Sequence, residues 1–157
     1  MKVNLRNRPV FGLVIPDMVR GPWADIASGI RQTAQRDGHG VCVPLCWDDP
    51  AAVLHHPSVF ARLCVEANID GIFLRAFPDR KDTRRVLSAL RREKIPVALL
   101  RINDESPIGG TGFDVVTLRS EGRVPPRLAV RLGSVACHTL LQRLANPCNP
   151  PADLVLE

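Results

Sequence analysis

Short apolar runs alternate with segments of helical period along almost the whole chain. This alternation is the strongest constraint the sequence places on its fold. Val10–Ile15, Val41–Leu45, Ile72–Leu74, Val97–Leu100 and Phe113–Leu118 read as strands. Between them apolar residues recur at three- and four-residue spacing. Trp23, Ile26, Ala27, Ile30 and Ala34 mark a helix from about Pro22 to Asp37. Its boundaries follow from a proline near the first turn and from Gly38 and Gly40 beyond the end. Phe60, Leu63, Cys64 and Ala67 give an apolar face to a second helix within Ala51–Ala67, which Pro57 kinks or starts. Val86, Leu87 and Leu90 point inward from a third, Asp82–Lys94, whose arginine pairs point outward. Leu132, Ala136, Leu140, Leu141 and Leu144 form the stripe of a fourth, after Pro125-Pro126. Near-continuous apolar strands joined by amphipathic helices predict an α/β fold whose parallel sheet is covered on both faces.

The totals narrow the class further. A chain of 157 residues is one domain with room for a proper core. Its 45% hydrophobic content excludes disorder. No apolar run reaches the ~20 residues of a membrane span. The first ten residues, MKVNLRNRPV, are basic but lack the apolar stretch of a secretory signal, so the expected location is cytoplasmic. Five cysteines form an odd set without a C-x-x-C pair, and Cys42 and Cys46 have no matching histidine pair downstream. No zinc site is expected, Cys64 and Cys137 read as small core residues, and reduced thiols fit the cytoplasm. His39, His55, His56 and His138 stand in no triad context, and no phosphate-binding glycine loop or other cofactor motif occurs. An enzyme is therefore not expected, and neither is a cofactor or metal.

The net charge of +5 raises the question of a nucleic-acid partner. The arginines fall on three segments, Arg31 and Arg36, Arg84 to Arg92, and Arg127 to Arg143, and read as solvated helix faces. Without tyrosine, and with aromatics at 4%, a base-stacking platform is not expected.

Right-handed crossovers place the carboxyl ends of all strands on one edge of the sheet, where α/β folds bind ligands. That edge receives Asp17, Arg20 and Trp23 after the first strand and Trp47 and Asp48 after the second. Arg75 follows the third, Arg101, Asn103 and Asp104 the fourth, and Thr117 and Arg119 end the fifth. A glycine-rich polar loop, Asn103–Gly112, separates the last two strands.

The segments VFGLVIPDM…WADIASGI, NIDGIFL and IPVALLR, in this order and at these intervals, resemble the effector-binding part of the LacI/GalR transcriptional regulators. The tail, VVTLR…LGSVACHTLLQRLANPCNPPADLVLE, is similar to that family's closing segment. The resemblance implies one Rossmann-like, periplasmic-binding-protein-like lobe, with a five-stranded parallel sheet in the order 2-1-3-4-5 and helices on both faces. It also implies the segments 1–9 as a linker, 10–145 as the lobe and 146–157 as a tail. Nothing before Val10 resembles the family's helix-turn-helix headpiece, and strand four runs directly into the segment that returns from a second lobe. The expectation is an amino-terminal lobe alone, without specific DNA binding of its own and without a membrane partner.

In the family, the loop after the first strand touches a sugar-like effector through an amide and aromatic rings. The matching positions here are Arg20, Gly21, Pro22 and Trp23, so a cation replaces the amide and Trp23 either stacks on the ligand or caps the core. Arg101 matches the strand-four arginine that hydrogen-bonds ligand hydroxyls or carboxylates. With Asp17, Arg75 and Asp104 these residues form the expected site for a weakly bound sugar or organic acid. An alternative role implied by the same fold is a protein-interaction module that dimerises or pairs with a full-length relative.

Overall fold

The computed structural model describes residues 8–15, 21–38, 40–45, 51–103 and 112–157. Strands β1 (Val10–Val14), β2 (Val41–Pro44), β3 (Gly71–Arg75), β4 (Val97–Ile102), β5 (Asp114–Leu118) and β6 (Asp153–Leu156) form one sheet. Its order is β2-β1-β3-β4-β5-β6, and every neighbouring pair is parallel. The helices are α1 (Gly21–Asp37), α2 (Ala51–His55), α3 (Pro57–Glu66), α4 (Arg80–Arg92) and α5 (Pro126–Ala145).

Strand alternation divides the apolar side chains between two cores. Phe11, Leu13, Phe73, Ala98, Leu100, Val116 and Leu118 face α1 and α5. Val14, Ile72, Leu74, Val97, Leu99 and Val115 face α2, α3 and α4. The central strands are buried on both sides, which is why their sequences are continuous apolar runs rather than alternating ones.

Helices α1 and α5 cross closely because each presents a glycine. A Cβ on Gly29 would lie 2.2 Å from the Val130 carbonyl oxygen, and one on Gly133 would lie 2.1 Å from that of Ile26. Beside the crossing, the Thr33 hydroxyl donates to the Ser134 hydroxyl at 3.0 Å. Helix α4 opens on Asp79, whose carboxylate accepts from the Lys81 amide at 2.8 Å. Thr83, at the same turn, accepts from the Phe77 amide at 2.9 Å and so fixes the exit of β3.

Three expectations are corrected. The sheet has six strands, not five, because Asp153–Leu156 adds parallel to β5. This strand lies within the segment 146–157. The turn before β6 is held by Arg143, whose guanidinium donates to the carbonyls of Pro147, Asn149 and Pro150. The helix expected within Ala51–Ala67 is two helices, with His56 between them and Pro57 starting the second. Strands β3 and β4 also extend further than their apolar runs, so Arg75 and Arg101 belong to the strands rather than to the loops after them.

Candidate functional site at the carboxyl edge of the sheet

Every crossover delivers the carboxyl end of a strand to the same edge. Of the six residues expected to bind a ligand there, Trp23, Arg75 and Arg101 are placed by the structure. Asp17, Arg20 and Asp104, like Trp47 and Asp48, lie outside the described residues.

Trp23 sits in the first turn of α1, 8% exposed, and packs into the core between α1, α5 and the sheet. The Arg75 guanidinium lies over its ring, 4.7 Å from the centroid. This cation–π contact joins the end of β3 to the start of α1. Arg75 follows the alternation of Phe73, so it projects to the α1 side of the sheet. Arg101 projects to the other side. Its register neighbour in β5 is Thr117, and Arg75 pairs with Leu100, one residue earlier in β4. Arg75 and Arg101 thus flank the sheet edge from opposite faces rather than lining a single rim. At 7% exposure Arg101 is the most buried cation described, and Thr117 beside it is 3% exposed.

Asn103 closes β4. Its φ of 52° turns the chain through the left-handed region, which asparagine tolerates better than most residues. Its amide donates to the Leu118 carbonyl at 2.7 Å, and its side-chain oxygen accepts from the Ser120 amide at 2.8 Å. These bonds bind the exits of β4 and β5 together. Beside them is a cavity of about 640 Å³ lined by Asn103, Arg119, Ser120, Glu121, Leu128 and Glu157. Its volume falls in the range of small-molecule sites. Asn103 and Arg119 were legible as strand-end residues. Glu157 was not, because the strand that carries it to this edge was not expected.

Neither Cys42 nor Cys137 is prepared for nucleophilic attack. Burial pushes the Cys42 thiol up to about 11, against the opposing pull of Arg31. Burial first, then the neighbouring Cys42 and Asp37, pushes the Cys137 thiol up to about 12. Both remain protonated at neutral pH, and a thiol rather than a thiolate is a poor nucleophile. Among the described residues no cluster of three or more His, Cys, Asp or Glu could hold a metal ion. No helix among them is long and apolar enough to cross a membrane.

No family model matches the sequence, and no curated protein is similar to it. Solved structures share its fold. A LacI transcriptional regulator from Lactobacillus brevis is matched over 94% of this chain and 97% of the other, at 10% identity and a TM-score of 0.56. The transcription regulator CcpA of Lactococcus lactis is matched over 93% of this chain and 58% of the other, at 13% identity and a TM-score of 0.53. A carbohydrate transporter from Acidothermus cellulolyticus, in complex with myo-inositol, is matched over 95% of this chain and 56% of the other, at 13% identity and a TM-score of 0.50. The chain thus spans little more than half the length of the last two. Its six-stranded parallel sheet and flanking helices form a periplasmic-binding-protein-like lobe, the fold it shares with LacI-type regulators.

Proposed function

We propose that this chain is a non-enzymatic lobe that binds a small sugar-like or organic-acid effector, of the kind used by LacI/GalR-type regulators in the cytoplasm. The observation that carries the reading is the composition of the carboxyl edge. Trp23 with Arg75, and Arg101 on the opposite face, stand where this fold delivers ligand contacts. The transporter of the same fold, solved with myo-inositol, supports a polyol-like ligand. Arg75, on the Trp23 side of this edge, favours an anionic variant, because guanidinium–carboxylate and guanidinium–phosphate pairs are the stronger contacts. One lobe offers one wall of a cleft, so the ligand keeps much of its surface in water. Affinity no tighter than about millimolar follows. Thermal shift with glucose, myo-inositol, gluconate and glucose 6-phosphate tests this reading. The anionic ligands should raise the midpoint more than the neutral ones, and an equal response to glucose would remove the arginines from the site.

A second reading, as a self-associating module, is favoured by exposed apolar side chains on α3 and β2. Val59, Leu63 and Val65 are 54%, 56% and 45% exposed, and Val41 on the edge strand is 49% exposed. Val59 and Leu63 lie one turn apart on α3, and a partner that covers them would remove apolar surface from water. Sedimentation velocity across a hundredfold concentration range separates a dimer from a monomer directly.

A further inference from the structure

The net charge of this chain is not spread over its surface. Arg80–Lys94 holds seven Lys and Arg residues against Asp82 and Glu93, a net of five positive charges, which equals the net of the whole chain. The remaining residues therefore sum to neutrality. The arginines of α1 are balanced by Asp25 and Asp37, α5 carries three arginines and no acid, and Arg80–Lys94 is the most cationic of the three segments.

Helical geometry concentrates this charge further. At about 100° per residue, Arg80, Lys81, Arg84, Arg85, Arg91 and Arg92 fall within an arc of about 140° on α4. All six are exposed, and the remaining position within the arc is the exposed Ser88. Asp82 and Glu93 lie outside the arc, on the flank, and Asp79 is turned toward the Lys81 amide as the helix cap. Arg85 leans to the margin, 3.7 Å from Asp82, and donates to the Leu54 carbonyl. Arg91 rests over the Phe113 ring at 5.2 Å. The opposite face, Thr83, Val86, Leu87, Ala89 and Leu90, is buried against the sheet.

We infer that the exposed face of α4 is a docking surface for the phosphate backbone of duplex nucleic acid, bound without reading of its sequence. Charge complementarity identifies the occupant. The face carries five arginines, whose planar forks suit phosphate oxygens, and no acid. From Lys81 to Arg92 the helix is about 16 Å long, which spans about five phosphates of one strand. No aromatic stands within the arc, so base stacking and hence single strands are not favoured. The apolar face is committed to the core, so the helix has none to insert into a lipid surface. This surface is separate from the strand-end site and does not depend on its ligand.

The test is fluorescence anisotropy of the full chain with a random 20-base-pair duplex across a salt series. Log K should fall linearly with log salt, with a slope of about −4.5 for five phosphates neutralised. The triple variant Lys81→Gln/Arg84→Gln/Arg92→Gln should flatten that slope by about 3 and weaken binding about tenfold or more at low salt. Arg123→Gln/Arg127→Gln/Arg131→Gln removes the same charge from elsewhere and should change the slope far less. Circular dichroism checks that both variants remain folded. Equal slopes in the two triple variants would overturn the inference. So would tighter binding to phosphatidylserine vesicles than to duplex, or a marked preference for one palindromic sequence over random duplex.

Discussion

Asp114 and Arg143 form a bidentate ion pair that closes the sheet. The Arg143 Nε and Nη2 donate to the two carboxylate oxygens at 3.1 and 2.9 Å, and the Ala152 amide adds a third bond to Asp114 at 2.9 Å. Asp114 is 2% exposed, so its charge is desolvated and depends on these donors. The same guanidinium also accounts for three carbonyls of the turn that leads into β6. One side chain thereby links the start of β5, the end of α5 and the last strand.

Arg143→Ala should cost about 3 kcal/mol, the amount expected when one partner of a buried pair is removed and the other stays charged. The loss should be local as well as global. Hydrogen exchange at residues 153–156 should accelerate more than at β1 or β3. Uniform acceleration across the sheet would mean that the pair does not specifically retain β6.

Gly29 and Gly133 set the distance between α1 and α5. An alanine at either position puts a methyl group within 2.2 Å of a backbone carbonyl oxygen, and backbone cannot rotate away as a side chain can. Gly29→Ala and Gly133→Ala should each destabilise by about 1–3 kcal/mol, despite alanine's higher helix propensity. Urea denaturation decides the sign. A stabilised alanine variant would show that the two helices separate at little cost.

At the other end of the same helix pair, Asp37 accepts from His138 at 2.6 Å and from Arg36 at 3.0 Å. The Arg36 hydrogen bond, then that of His138, lowers the Asp37 carboxyl to about 2 from its ordinary 3.8. A carboxyl depressed on folding contributes stability above its unfolded pKa and loses it as pH falls through the folded one. The protein should therefore lose stability between pH 3.8 and about 2 in a way that Asp37→Asn does not. The difference is small, because the group is partly exposed and screened. Thermal midpoints measured from pH 5 downward should converge for the two proteins in that window. Parallel curves would assign the acid sensitivity to other carboxylates.

The α/β alternation was legible because the strands of the middle of the sheet are apolar on both faces. Residues such as Ile72-Phe73-Leu74 have no solvent face to encode. Strand β6 was not legible for the opposite reason. Asp153 and Leu154-Val155 are exposed on an edge strand, and what holds them in register is Arg143, distant in sequence from the bonds it makes to β5. The ends of β3 and β4 were read short for a related reason. An arginine that terminates an apolar run looks like a loop residue, yet Arg75 and Arg101 are retained in the ladder by backbone pairing. Their opposite orientations follow from register, which one strand's sequence does not contain. The cation–π contact of Arg75 with Trp23 depends on the relative placement of β3 and α1, and the spacing of those residues in sequence conveys nothing of it.

The most direct test of the effector-binding account is two-dimensional amide and indole NMR during titration with gluconate, and with glucose as the neutral comparison. The account predicts gluconate-dependent shifts at the Trp23 indole N–H and at the amides of Arg75, Arg101 and Asn103, saturating at about millimolar or weaker. Glucose should produce smaller shifts, and Arg20→Asn should reduce the gluconate response. Shifts confined to α4, or none at any of these four residues up to tens of millimolar, would contradict it.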